Sequence, residues 1–339
     1  MLLMPSSSKR TNCLKIEAFF TEQLEKIEWL KELDPETQFI GVGGSFRNVC
    51  RIAKMVKKYP LDTIHNYRLP VEDFDNVYGM VRVLDLDKKK KIKGISSARA
   101  DILPAAMAIV KAFLKYTNFN EIVISGNGLR EGILYNYTMP ITIEKPISDV
   151  MGNSLRTIVT QYQMDAKHVD QVVNLSVQLF KQLRVLHKFP RQYLKILKIA
   201  ATLHDTGMQV KYYNHHRHGM YVCINSNLCG VTHREMVMAG LVIGAHKDGE
   251  VSPTDILRYR ALVSEEDVDA IKKLGVILKI AESLDRSAQG VVTGLDCDVL
   301  GDSVIMKTVL AGDATLEIHD AMTSELEFRK AFHKNLEIL

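Results

Sequence analysis

A chain of 339 residues is longer than one ordinary hydrophobic core organises and suits two domains with a small third piece. Hydrophobic residues make up 46% and charged residues 25%, which excludes disordered, collagen-like and disulfide-scaffold chains. The net charge of +4 favours an anionic ligand but is too small to mark a specific nucleic-acid binder.

In chain order, Leu14–Leu33 has helical periodicity and stops at Asp34-Pro35, because proline disfavours helix in the residue before it. Phe39–Val42 reads as a short buried strand running into Gly43-Gly44, with Ser45 as the cap of a helix reaching about Lys58. Pro70–Leu86 and Arg99–Tyr116 read as helices, Glu121–Ser125 as a second buried strand, and Gly126-Asn-Gly128 as its turn into one more helix. Lys88–Lys91 reads as a solvated loop. The result is an α/β segment over 1–145 with a glycine turn at each strand-to-helix junction. Two strands are too few for a stable sheet. Either further strands exist, or their partners lie in sequence this chain lacks.

Beyond Pro140 and Pro146 the pattern changes. Asp165–His187, Arg191–Asp205, Thr232–His246 and Glu265–Asp285 are strongly helical, so an all-helical domain is expected over 146–290. The remaining residues, 291–339, read as a small α+β piece with strands at Val299–Leu310 and Ala314–His319 and a helix at Ser324–His333. The longest apolar runs, such as Ala105–Val110, fall far short of the roughly 18 residues of a membrane span. Met1–Arg10 does not read as a secretory signal. Five scattered cysteines (Cys13, Cys50, Cys223, Cys229, Cys297) form no C-x-x-C pair, which suits free thiols in a reducing cytoplasm. A soluble cytoplasmic protein without a membrane partner is expected.

Two kinds of chemistry are legible. In Ile40-Gly-Val-Gly-Gly-Ser-Phe-Arg-Asn48, the amides of Gly43 and Gly44 at a helix start would suit a phosphate. Arg47 and Asn48 would add donors there. Glycine serves turning more often than phosphate contact, and no Gly-Lys-Ser/Thr follows to make a Walker loop.

The histidines are more specific. Eight of the 11 lie between His168 and His246. His204-Asp205 ends a strongly apolar helix, where a buried carboxylate must be paired or bound to a cation. His168 sits in the first turn of the preceding long helix with Asp165 as its cap, and Asp285 ends the helix Lys279–Arg286. These four residues form a mixed nitrogen and oxygen set suited to Zn, Mn, Fe or Mg. His218 and His246 are the choices for a second ion. His233 has a sufficient explanation in the capping box Thr232-His-Arg-Glu235, and His187 in its place at a helix end.

Together, Ile40–Asn48, Tyr59-Pro-Leu61, Arg99-Ala-Asp101 and Ser125-Gly-Asn-Gly-Leu-Arg-Glu-Gly132 resemble the exopolyphosphatase/guanosine pentaphosphate phosphohydrolase (Ppx/GppA) family. Ala200-Ala-Thr-Leu-His-Asp-Thr-Gly207, with His168 and Asp285, resembles the HD-type helical domain carried by its longer members. The resemblance implies an actin-like, ribonuclease H-like second lobe, followed by an HD-type domain. It implies Mg²⁺-dependent hydrolysis of phosphoanhydride bonds in polyphosphate or guanosine polyphosphate, and a homodimer is expected. Gly43, Gly44, Arg47 and Asn48 would then face the interlobe cleft, and Arg99 would reach toward the substrate. The family's first lobe, with its phosphate loop and catalytic glutamate, has no counterpart here, so a truncated, split or frame-disrupted member is expected. Two other readings stand beside it. One is an HD-domain phosphohydrolase acting independently with Mn²⁺, Fe²⁺ or Zn²⁺; the other is a non-catalytic nucleotide-sensing or oligomerising module. The open half-sheet near Phe39–Val42 is expected to promote dimers or aggregation.

Overall fold

The computed structural model describes residues 6–138 and 149–339, so the segment with Pro140, Pro146 and Ser148 lies outside the described residues. The chain divides into two compact units, Met1–Pro146 and Ile147–Leu339. Both mix helices with one small sheet.

The first unit runs α1 (Ser6–Leu24), β1 (Ile40–Gly41), α2 (Gly44–Val56), β2 (Tyr67–Pro70), α3 (Val71–Val83), α4 (Leu86–Lys90), α5 (Leu103–Thr117), β3 (Glu121–Ile124) and α6 (Leu129–Thr138). A third strand, not located in the sequence, joins the sheet, which bears out the first of the two alternatives left open there. β3 is central, parallel to β1 and antiparallel to β2. The strand β2 has the alternation of a half-buried strand, with Tyr67 and Leu69 inside and Arg68 outside. Its four residues end in a proline that is tolerated only because this strand is an edge. Ile122 and Ile124 project from β3 into a core with Ile52, Leu69, Phe74, Val81, Leu103 and Met107. At the other edge Ile40 and Val42 are more than half exposed.

Several local expectations need correction. The first helix ends at Leu24, and Glu28–Glu32 form a 3₁₀ turn. The N-cap of α2 is Gly43, at φ 108°, so Ser45 lies inside the helix; that left-handed φ is one only glycine adopts without strain. Lys88–Lys91 is no simple loop, because α4 takes in Lys88–Lys90 and buries Lys89.

The second unit runs α7 (Val150–Gln161), α8 (Ala166–Gln182), α9 (Arg184–His187), α10 (Gln192–Leu203), α11 (His215–Asn225), α12 (His233–Ala245), α13 (Pro253–Tyr259), α14 (Glu265–Ser283), β4 (Val292–Leu300), β5 (Ser303–Leu310), α15 (Thr315–Met322), α16 (Glu325–Phe332) and β6 (Asn335–Ile338). Helix starts follow the sequence closely. Asp165 accepts hydrogen bonds from the amides of Lys167 and His168, and Thr232 and Ser264 close complete capping boxes. Each such cap contributes roughly 1 kcal/mol. The core is made by α8, α10, α12 and α14, whose Leu175, Ile196, Leu241 and Ile277 are fully buried.

Residues 291–339 belong to this unit and do not stand apart. Gln171, Gln178 and Gln182 of α8 hydrogen-bond along β4, to Val292, Leu295 and Asp296. The segment Ala314–His319, read as a strand, lies mainly in helix α15, and the closing strand β6 pairs parallel with β5. Short segments are where strand and helix periods are hardest to separate.

His187, buried at the end of α9, donates from Nε2 to the Phe180 carbonyl and accepts the Phe189 amide at Nδ1. Acceptance at Nδ1 needs the neutral ring, since a protonated imidazole has two donors and no acceptor. Burial, aided by Lys273 and Arg184, holds its pKa below the usual value against the opposing pull of the Phe180 carbonyl. Unfolded chain takes up this proton near pH 6.5 and the native state only lower. The contribution to stability is therefore present above about pH 6.5 and is lost as pH falls through the depressed native pKa. His187→Phe is expected to lose about 1–3 kcal/mol at neutral pH, with a shallower decline of stability below about pH 6.5. Urea unfolding across that range measures both, and a decline as steep as the parent's would contradict it.

Candidate functional site

The histidine cluster is assembled where helices end. His204 follows the last residue of α10, His246 follows the last residue of α12, and Glu282 lies in the last turn of α14. A helix C-terminus carries partial negative charge and unpaired carbonyls. Three such ends converge on one place, and the carboxylate of Asp205 adds to them.

The imidazoles are oriented by one recurring device. His204 donates from Nδ1 to the carbonyl of Ala201, His215 to that of Tyr212, and His246 to that of Ile243. In each case the acceptor is three residues back. A carbonyl can only accept, so Nδ1 carries the proton and Nε2 is the atom turned toward the carboxylates. The Nε2 of His204 lies 3.5 Å from Asp205 and that of His215 lies 3.9 Å from it. The Nε2 of His246 lies 3.2 Å from Glu282 and 3.3 Å from the Nε2 of His215. His168 reaches the same place from the start of α8. Its Nδ1 is 2.8 Å from Asp285 and its Nε2 is 3.8 Å from Asp205.

Two groups of donor atoms result. His168, His204 and Asp205 form one, and His215, His246 and Glu282 the other, each with its ligand atoms within 4.8 Å of one another. The buried Nε2 of His204 has no hydrogen-bond partner. A buried lone pair left facing a carboxylate is unfavourable, and a cation between them removes the conflict. The residues present therefore fit a divalent ion. Burial would raise the carboxyl pKa of Glu282, but His246, with His204 and His215, outweighs it and holds the pKa well below the usual range. Burial pulls the His246 pKa down, and Glu282 more than restores it, so the net shift is upward. The centre opens into a cleft of about 340 Å³ bordered by His168, Asp205, His215 and Glu282.

The structure brings together His168, His204, Asp205, Asp285 and His246 of the sequence candidates. Asp285 sits behind His168, its other oxygen accepting the Gly290 amide, so here it orients that ring instead of joining a donor group. His218 is in neither donor group. His215, one turn earlier at the start of α11, stands in that place. Glu282 was overlooked; a carboxylate in the apolar run Gly275–Ser283, three residues before Asp285, was the available signal.

In the first unit, Arg47 Nη1 donates to the Gly126 carbonyl at 3.1 Å. This ties together the turns that follow the neighbouring parallel strands β1 and β3. Arg99 lies against Gly44, where a Cβ would come within 2.3 Å of its guanidinium carbon. Asn48 is buried and its Nδ2 has no partner. Gly43, Gly44, Arg47 and Arg99 thus gather at the start of α2.

Residues 150–330 match the model for Ppx/GppA phosphatase, domain III, and residues 10–139 match that for the Ppx/GppA phosphatase family. The chain belongs to the Ppx/GppA phosphatase family. Curated relatives include the guanosine-5'-triphosphate,3'-diphosphate pyrophosphatases of Aeromonas hydrophila, 24% identical over 241 residues, and Vibrio vulnificus, 25% identical over 239. Each alignment covers 70% of this chain, and respectively 46% and 45% of the relative. The chain thus spans about half the length of these relatives. Similar solved structures are the Ppx/GppA phosphatase of Aquifex aeolicus (19% identity, TM-score 0.31, covering 36% of this chain and 40% of that one) and an exopolyphosphatase from Cytophaga hutchinsonii (23%, 0.34, 38% and 41%). No described helix is long and apolar enough to cross a membrane.

Two expected outcomes test these arrangements. Asp285→Asn removes the carboxylate that holds the His168 tautomer and should weaken divalent-metal affinity roughly 10- to 100-fold, read by competition with a chelating dye. Gly44→Ala should change stability by no more than about 1 kcal/mol while displacing Arg99, read from the shift of its side-chain NεH resonance. An unmoved resonance would show that Arg99 does not rest on Gly44.

Proposed function

We propose that this chain is a divalent-metal-dependent phosphohydrolase for phosphorylated nucleotides of the guanosine polyphosphate class, with its reacting centre in the histidine cluster. The unpartnered Nε2 of His204, turned toward Asp205 inside a buried helical core, carries this reading. On it, the second unit is an HD-type domain. His168, His204 and Asp205 would hold one ion, and His215, His246 and Glu282 would hold a second. A bound divalent ion supplies Lewis acidity toward a phosphoryl oxygen and acidifies water. Four imidazoles favour Mn²⁺, Fe²⁺ or Zn²⁺ over Mg²⁺, which prefers oxygen ligands. Asp285 keeps the His168 ring in register, and the backbone carbonyls of Ala201, Tyr212 and Ile243 fix the other three. The relatives are named for a guanosine polyphosphate substrate, which supports the substrate class.

A second reading is favoured by the packing of Arg99 on Gly44 and by the unpartnered Nδ2 of Asn48. In it the first unit is an actin-like lobe, and Gly43, Gly44, Arg47, Asn48 and Arg99 hold a terminal phosphate of polyphosphate or of a guanosine polyphosphate, with Mg²⁺.

Metal analysis of the purified chain, together with phosphate release from a guanosine polyphosphate, separates the two. Stoichiometric transition metal is expected, lost along with activity in His204→Ala/Asp205→Ala. Arg99→Ala should leave both intact. Activity that vanishes in Arg99→Ala but survives the double substitution would transfer the reaction to the first unit. Absence of bound metal would end the first reading.

A further inference from the structure

We propose that the cleft over the histidine cluster is built for a nucleoside phosphate, with the base on one side of Tyr212 and a phosphate group on the other, and that it discriminates against inorganic polyphosphate; this rests on the metal-centre reading for the place of the reacting group.

Two clefts meet here. The first, of about 340 Å³, and a second, of about 230 Å³, share Tyr212, His215, Glu282 and Arg286 as a common wall. They differ in chemistry. Away from the histidines, the first is lined by Tyr162, Gln163, Met164, Met208 and Gln209. Aromatic and thioether groups offer faces for a flat ring. Each glutamine amide presents both a donor and an acceptor, as the edge of a nucleobase requires. Away from the donor groups the wall carries one cation, Arg286, and one carboxylate, Asp165. Inorganic polyphosphate has no ring to lay on these faces and no base edge for the glutamines, so it forgoes the contacts that this side of the cleft offers.

The second cleft is where cations collect. Lys247, Lys279 and Arg286 line it. Lys279 is paired with Glu327 at 2.8 Å, and Arg286 lies 4.0 Å from Asp320. The Lys247 side chain makes no hydrogen bond or ion pair among the described residues. It is the cation most available for a phosphate.

Tyr212 joins the two sides. It is 57% exposed, so a ring can be laid on it. Its carbonyl accepts the Nδ1 proton of His215, so the residue that would bear the base also sets a member of the donor cluster. Nucleobase binding is thereby placed beside the reacting group, as specificity for a nucleotide requires.

Calorimetric titration of the full-length chain with guanosine 5'-monophosphate, guanosine and inorganic tripolyphosphate tests this. The monophosphate should bind most tightly and tripolyphosphate least. Tyr212→Ala should weaken the monophosphate and guanosine alike, by roughly fivefold to a hundredfold, the range of base–aromatic stacking. Lys247→Ala should weaken the monophosphate severalfold and leave guanosine unchanged. Tyr221→Ala, which removes an exposed ring on α11 outside both clefts, should change nothing. Tripolyphosphate binding more tightly than the monophosphate, an unaltered monophosphate affinity in Tyr212→Ala, or no binding of the monophosphate would each overturn the proposal. Metal content is measured on the same samples. Metal present with nucleotide affinity indifferent to Tyr212 sinks this proposal alone. Tyr212-dependent nucleotide binding without metal upholds the nucleotide cleft and sinks the hydrolytic reading alone.

Discussion

The second unit depends on a small hydrogen bond used three times, from a histidine Nδ1 to the carbonyl three residues back. In His204 and His246 it does two things at once. It satisfies a carbonyl that the end of α10 or α12 would leave unpaired, and it fixes the tautomer that turns Nε2 inward. Without these bonds each ring would exchange tautomers and the donor atoms would not face one another. The same helix ends bring negative partial charge to the cluster, as do Asp205 and Glu282. The whole arrangement is therefore electrostatically incomplete without a positive charge, whether supplied as a proton on His246 or as a metal ion.

Burial makes this constraint stringent. His204 and His246 are almost wholly removed from solvent, as is Asp285. Water cannot screen their interactions, so orientation and charge must be balanced by neighbours within the fold. Asp285 shows how far the balance reaches. One oxygen positions His168 and the other holds the loop at Gly290. The exit from α14 and the entry into α8 are in this way tied to the same carboxylate.

The first unit uses simpler means. Parallel pairing of β1 and β3 places two glycine turns side by side, and Arg47 links them. Much of this was legible in the sequence. Both strands with glycine turns announced themselves as apolar runs ending in glycine. The strand β2 did not, because its four residues end in a proline that reads equally well as a helix start. Similarly, Ala314–His319 alternates well enough to suggest a strand, but packs as the start of α15.

In the histidine cluster the division is clear. Sequence by itself determined the helices α8, α10, α12 and α14, that Asp165 and Thr232 cap two of them, and that His204-Asp205 closes an apolar helix in which an unpaired carboxylate is costly. Those are local facts of side-chain chemistry and period. Only the tertiary structure decided that His215 and not His218 faces the cluster, that Glu282 joins it, and that Asp285 stands behind His168. Each of these turns on the start of a helix or the rotation of a helix face against its neighbours. Such choices are set by long-range packing of α8, α10, α11, α12 and α14, which no spacing along the chain encodes.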